Sequence, residues 1–429
     1  MIVVGIKYKV LRQSLPTTLG GTVDFTSAGF GIVKAAIAIF CECSVNGLRR
    51  NAGSFGVGFW DGTNQAAVGI LAKHNRATSS TFRHSSVTRG AIKPGNNATE
   101  YTFSAITDGV RLTLDVDNTG LSRLCTVSLF GGDDVTGVVG DFVAHATQNS
   151  TTTEAHGLGV TPDVVFFISI GHSSTGASAD AVISFGVCFK DSSGHLAQRT
   201  TLWRSNDAQA TSEVVARLET DSAVGQLGSA GLDWTGEITV LDGTNIECTT
   251  RDAGSESDIV YYLALDLAGA GVVIRTLTTP TSTGDDLLAS IGFQPSLQIV
   301  SLTKAAAVDT TYVDDADANA NSLQVGAADG TNQFSSCAVD EDAKDTTKTF
   351  SVANNKLIDL DDSVAGTAAN FIDATLSSFD ADGRTLNYSV VDGTSRQGWE
   401  LLLGTQVAPV SLPLSQRQRL IRQLLARSR

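Results

Sequence analysis

Three short motifs recur in the same order along this chain, and that repetition limits its possible folds more than any other feature. The best matched is Ser54-Phe-Gly-Val-Gly-Phe-Trp-Asp-Gly-Thr63. It returns as Ser184-Phe-Gly-Val-Cys-Phe-Lys-Asp-Ser-Ser193 and as Ser322-Leu-Gln-Val-Gly-Ala-Ala-Asp-Gly-Thr331. Upstream of each copy a glycine turn feeds an apolar run: Gly29-Phe30-Gly31-Ile32, Gly159-Val160-Thr161-Pro162 and Gly292-Phe293-Gln294-Pro295. Downstream, an Asp-Gly pair opens a further strand at Asp108, Asp242 and Asp382. The copies are spaced by roughly 130–140 residues, about one ordinary domain each. That period is far longer than a solenoid repeat, so the spacing predicts three self-sufficient domains. Glycine-rich stretches at 131–137 and 268–271 divide the 429 residues into 1–137, 138–270 and 271–408, with a tail at 409–429.

Within each copy the apolar residues alternate or run for four to eight positions, and turn residues recur every eight to twelve. This is the pattern of an all-β sandwich or barrel. Gly contributes 42 residues and charged side chains only 17%, a balance that suits sheets and turns better than long helices. The expectation is an all-β protein of three tandem jelly-roll-like β-sandwich domains related by internal repeat, plus a short C-terminal amphipathic helix. A second helix is expected over Thr211–Leu218.

Composition excludes a coiled coil, a disordered chain, a disulfide miniprotein and an integral membrane protein, since no apolar run approaches the ~20 residues of a span. The opening residues Met1–Leu11 are broken by Lys7 and Lys9, so they read as a first strand and not as a secretory signal. The six cysteines (41, 43, 125, 188, 248 and 337) are dispersed, without a CxxC pair. Free thiols made in a reducing cytoplasm are expected.

The net charge of −15 argues against nucleic acid as a partner. It is also uneven. Residues 1–140 hold 13 basic and 9 acidic side chains, 141–275 hold 6 and 17, and 276–408 hold 6 and 19. The last 21 residues hold five Arg and no acid. Such a chain pairs with itself or a neighbour through its ends, and a homo-oligomer is expected.

Candidate sites are few. The six histidines form no HExxH or i, i+4 pair, and surface positions are expected for them. No GxSxG, Walker loop or GxGxxG precedes a helix, so no catalytic residue and no cofactor is assigned. The repeated Asp61, Asp191, Asp329, Asp108, Asp242 and Asp382 sit beside Gly or Ser and read as turn caps. Asp315, Asp317 and Asn319 match the first half of a calcium loop, but Ala320 stands where the sharp-turn glycine belongs, so an acidic solvated loop is preferred. Trp60 is the best candidate for an exposed ring that stacks on a glycan, because it precedes a turn that the other copies fill with Lys190 and Ala328. In the tail, Leu420, Ile421, Leu424 and Leu425 share one helical stripe bordered by Arg417, Arg419 and Arg422. This marks a docking helix, with a membrane-surface helix as the other reading and no membrane span.

The Gly-Phe-x-Pro turn at Gly292–Pro295, its relatives at Gly159–Pro162 and Gly29–Gly31, and the opening Thr22-Val-Asp-Phe-Thr-Ser-Ala-Gly-Phe-Gly31 resemble a repeat in virion structural proteins of tailed bacteriophages. The first copy lacks the proline. The resemblance spans residues 15–404 and implies a non-enzymatic virion component, of the tail and its adsorption tip or of the capsid exterior as a decoration or head fibre. Its partners would be other virion proteins and possible host surface glycans. A glycan-binding or glycan-depolymerising β protein is the alternative from another class.

Overall fold

The structure is a computed structural model that describes residues 5–94, 98–116, 122–191, 193–229, 231–255, 257–313, 320–341, 346–364 and 367–405. All regular elements among them are strands, as the β-branched, aromatic and turn-rich composition requires. The first unit begins with β1 (Lys7–Ser14), β2 (Thr22–Thr26), β3 (Val33–Cys41), β4 (Ala52–Trp60) and β5 (Gln65–Lys73). It continues with β6 (Thr81–Ser86), β7 (Ala91–Lys93), β8 (Thr99–Ile106), β9 (Gly109–Val116) and β10 (Leu124–Gly131). The second unit opens with β11 (Val135–Ala144), β12 (Thr151–Ala155), β13 (Val164–Ser169), β14 (Gly176–Ala179), β15 (Ala181–Lys190) and β16 (Leu196–Ser205). Its remaining strands are β17 (Val214–Glu219), β18 (Val224–Gly228), β19 (Gly231–Leu241), β20 (Asn245–Asp252) and β21 (Asp258–Leu267). The third unit has β22 (Ala270–Thr278), β23 (Gly284–Ala289), β24 (Gln294–Thr303), β25 (Tyr312–Val313), β26 (Ala320–Ala328) and β27 (Gln333–Glu341). It ends with β28 (Thr349–Asn354), β29 (Ile358–Val364), β30 (Thr367–Asp380), β31 (Gly383–Val390) and β32 (Gln397–Thr405).

The strand order is the same three times. A large sheet β1-β10-β3-β4-β5-β6 faces a small sheet β2-β9-β8-β7. The second unit repeats this as β11-β21-β13-β15-β16-β17 over β12-β20-β19-β18, and the third as β22-β32-β24-β26-β27-β28 over β23-β31-β30-β29. Only β14 and β25 fall outside the scheme, because each joins the large sheet of another unit.

Each large sheet is covered on both faces, which is why β3, β4 and β5 are buried almost without a break where a one-sided sheet would alternate. One face packs on the unit's own small sheet. In the first unit Phe40 and Val127 meet Phe25, Tyr101 and Leu112, and the other units build equivalent cores. The other face joins one central core fed by all three units, including Ile37 and Phe59, Phe166 and Phe185, and Ile299 and Trp399. Each such side chain contributes about 1.5–3 kcal/mol by leaving water. Much of that gain exists only when the three copies are together. The repeat unit is a sandwich whose larger sheet is covered on its outer face by its two neighbours.

The repeated motif places glycine where chain must press on chain. A Cβ at Gly58 would lie 1.8 Å from the carbonyl oxygen of Gly90, and one at Gly326 would lie 1.9 Å from that of Leu357. These are the points where the chain leaves a large sheet for the small one above it. The helix expected at 211–218 is absent. Val214–Glu219 is β17, paired with β16 from Val214↔Ser205 to Glu219↔Thr200, because β-branched Val214 and Val215 fit a strand covered on both sides. The expected C-terminal helix lies outside the described residues. Among the described residues, no helix is long and apolar enough to cross a membrane. All six cysteines are buried and unpaired.

Candidate functional site: three seams closed in a ring

The loop after the third strand of every unit leaves its own sandwich and docks on the sixth strand of another. In the second unit that arm forms β14 and adds to β6, with Ala177 opposite His84. In the third it forms β25 and adds to β17, with Tyr312 opposite Ala216. The first unit's arm, residues 42–51, makes no strand. It still reaches β28 through an Arg50↔Ser351 bridge and a bond from Gly47 N to Ala353 O at 2.7 Å. Second onto first, third onto second and first onto third is a head-to-tail interface that closes. The exposed edge that ends each large sheet is thereby paired.

The Asp turns of the best matched motif face the same seams from the other side. Asp61 Oδ1 accepts the N–H groups of Thr63 and Asn64, and Asp61 Oδ2 accepts Val139 N at 2.8 Å from β11 of the next unit. Asp329 Oδ1 accepts Thr331 N and Asn332 N, and its Oδ2 accepts Val10 N at 2.8 Å and pairs with Lys9. Asp191 stands in a longer turn and, among the described residues, holds only Ser193 and His195 through its side chain. At its seam Arg199 Nε donates to Thr276 Oγ1 instead. Four of the six motif aspartates thus cap their own turn, Asp242 being the fourth through Thr244 N and Asn245 N. Asp108 and Asp382 act at longer range. Asp108 accepts Gly29 N and Gly31 N, which hold its carboxyl below the usual range, and Asp382 accepts Gly292 N. The upstream and downstream motifs recur together because they bond to each other.

A third set of contacts lies at one register position of the tenth strand. Thr126 pairs with Ile39, Tyr261 with Ile168 and Trp399 with Ser301, all toward the central core. Trp399 Nε1 donates to Phe185 O of the second unit at 3.1 Å, and the Tyr261 hydroxyl meets Ser85 Oγ of the first at 3.0 Å. Thr126 is too short to cross. Arg12 bridges for it, donating from Nε to Thr126 Oγ1, from Nη1 to Asn354 O and from Nη2 to Ser335 O, with its guanidinium over the Phe334 ring.

The seam between the first and third units holds charged and thiol groups. Arg49 forks onto Asp361, with Nε to Oδ2 at 2.5 Å and Nη2 to Oδ1 at 2.8 Å. Cys43 Sγ lies 2.9 Å from Ser351 O. An open polar cleft of about 400 Å³ runs beside it, lined by Glu42, Arg49, Arg50, Asn51 and Ala52. Burial pushes the Asp361 carboxyl up to about 6 while Arg49 holds it back. Elsewhere in the third unit, Arg384 forks onto Glu400 inside the protein, and Gln298 Nε2 donates to the same carboxylate at 2.7 Å.

The sequence-based site residues fare differently. Trp60 is corrected: it is 2% exposed, packed against Phe103 with ring centroids 6.0 Å apart, and offers no surface to a sugar. The strand before the turn is roofed by the small sheet, so its last residue points inward. His156 is likewise not on the surface. It is 1% exposed, its Nδ1 accepts Leu158 N, and its Nε2 meets Asp242 O. Asp315, Asp317 and Asn319 lie outside the described residues, as do Leu420, Ile421, Leu424, Leu425, Arg417, Arg419 and Arg422. Among the described residues, no group of three or more His, Cys, Asp or Glu could hold a metal ion. Sequence reasoning missed Arg12, Arg49 and Asp361, whose partners across the seam lie more than 300 residues away and carry no local signal.

No family model matches the chain, and no curated protein sequence does. One solved structure, titled "Crystal Structure of the STIV MCP", aligns with a TM-score of 0.20 at 8% identity, over 61% of this chain and 97% of that one. A similarity of that size carries no argument about this fold.

Proposed function

We propose that this protein is a non-enzymatic structural component of a virus particle, most specifically of the tail and adsorption apparatus of a tailed bacteriophage. The observation that supports this reading is the closed exchange of arms between three copies of one unit. A single chain that presents each turn three times around a shared core matches a partner whose symmetry is a multiple of three. Its copies differ in charge, basic in the first and acidic in the others, so each can face a different neighbour in a fixed orientation. Each unit is read as a jelly-roll-like sandwich, since in the first unit β1·β10 and β2·β9 pair the unit's start with its end in both sheets. The basic tail after Thr405 would attach the ring to the particle. A capsid decoration or head fibre is the same chemistry at another address.

Three experiments decide the matter. Density for the ring should be found on the tail of intact particles; its presence only inside infected cells would defeat the proposal. Deleting residues 410–429 should leave the ring folded and abolish incorporation. Incubation with capsular or lipopolysaccharide glycans should release no oligosaccharide, and release would establish the depolymerase reading.

A further inference from the structure

Behind Arg49, the ring-closing seam ends in a group of carboxylates with too few partners. Asp359 on β29 stands directly opposite Asp373 on β30 in the strand register. Both are 1% exposed. Lys356 Nζ and Asn370 Nδ2 donate to Asp373 Oδ2, but Asp373 Oδ1 and both oxygens of Asp359 meet no hydrogen-bond donor among the described residues. Asp361 is taken by Arg49, whose Nη2 also donates to Asn370 Oδ1. The network thus runs from the first unit's arm through Asn370 to Asp373.

Charge balance sharpens the problem. Three carboxylates face Arg49 and Lys356, with Arg12 acting on Asp359 from β1 and the neutral thiol of Cys337 adjoining from β27. Like charges directly opposite on paired strands repel, and a buried oxygen without a donor is destabilising. One proton removes the repulsion and leaves one Asp359 oxygen, in place of three carboxylate oxygens, without a partner. A protonated Asp359 supplies the donor that Asp373 Oδ1 lacks, and two carboxylates then face two near cations.

We propose that Asp359 and Asp373 share one proton, and that this proton locks the seam between the first and third units. Burial first, then the charges of Asp361 and Asp373, push the Asp359 carboxyl up to about 8, in keeping with that geometry. The folded-state value lies above the unfolded one, so the folded protein holds the proton more tightly. The stabilisation is complete below the ordinary carboxyl range and is lost as pH rises through about 8. Deprotonation sets Asp359 against Asp373 and Asp361, loosening the strand pair that anchors Asn370 and Arg49.

Two measurements on the full chain test this. In infrared difference spectra, wild type at neutral pH should show a protonated carboxyl band that disappears at alkaline pH and is missing from Asp359→Asn. In hydrogen exchange, the Gly47 and Arg50 amides that bond to Ala353 O and Ser351 O should lose protection, by up to roughly tenfold per pH unit between about 6 and 8. The Val139 amide, at the first seam, should not follow. Asn at 359 still donates to Asp373 and cannot ionise, so Asp359→Asn should keep protection flat. Absence of the carboxyl band in wild type overturns the proposal, a test that stands even where the variant fails to fold. Equal pH-dependent loss of protection in wild type and Asp359→Asn overturns it as well.

Discussion

The seam between the first and second units and the seam between the third and first join equivalent strands by different means. At the first, β14 adds a four-residue strand to β6, and Asp61 takes the Val139 amide. The chain itself also crosses there, from β10 to β11. At the second, the polypeptide does not run across, and the arm gives a single bridge plus the bond from Gly47 N to Ala353 O. Asn75 N to Thr347 O and Thr347 N to Arg76 O add two backbone bonds, and the side chains of Arg12, Arg49, Cys43 and Lys9 also bond across it. The lesson is one of compensation. Where the strand added to the edge is shorter, charged groups with directional bonds help to close the ring, and the proton proposed for Asp359 and Asp373 would make that seam responsive to pH.

The largest expected effect tests whether the shared core, more than any seam bond, holds the copies together. Trp399→Ala opens a cavity at the centre and removes the bond to Phe185 O, so it should cost about 3–5 kcal/mol in urea unfolding. Tyr261→Phe, at the matching position of the second unit, keeps the ring and loses only the bond to Ser85, for about 1 kcal/mol. Equal costs would mean that polar contacts, and not packing, hold the centre.

Next comes the closing seam itself. Arg12→Met keeps an apolar stem but removes the guanidinium from over Phe334 and its bonds to Asn354 O and Ser335 O, so a loss of about 1–3 kcal/mol is expected. Cys43, buried against Ser351, should then react with a thiol reagent faster than Cys188 and Cys248, which lie inside the second unit. Parallel labelling of all three would show global unfolding in place of a local opening.

Much of this architecture is legible in the residues and some of it is not, for a physical reason. Turn residues and glycines act locally, so the repeated Asp-Gly pairs and the glycines at Gly58 and Gly326 announce three related β units. Burial depends on what lies above a sheet. Trp60 reads as exposed because it adjoins a turn, yet the small sheet covers it. Thr211–Leu218 reads as helical, yet Val214–Glu219 is a strand bordered by β16 and β25. The seam residues leave no trace at all. Asp359, Asp361 and Asp373 carry no motif, and the arginine that pairs with Asp361 comes from residues 42–51 of another unit.

The smallest effect separates capping from bridging. Asp61, Asp191 and Asp329 hold equivalent turns, and all three accept N–H groups from the two to four residues that follow. Asp61 and Asp329 also reach across a seam, and Asp191 does not. Asp329→Ala therefore strands the Val10 amide and frees Lys9, and about 1–3 kcal/mol should be lost. Asp61→Ala should follow closely, since it strands only the Val139 amide. Asp191→Ala should lower the melting temperature least of the three, because its turn is open to water that can replace the lost bonds. Equal shifts for all three variants would show that the turn alone matters and that the second oxygen of Asp61 and Asp329 adds nothing to the ring. The expected ranking, Asp329 then Asp61 then Asp191, would instead mark the second unit's turn as the one place where the repeat has traded its bridging carboxylate for Arg199 and Thr276.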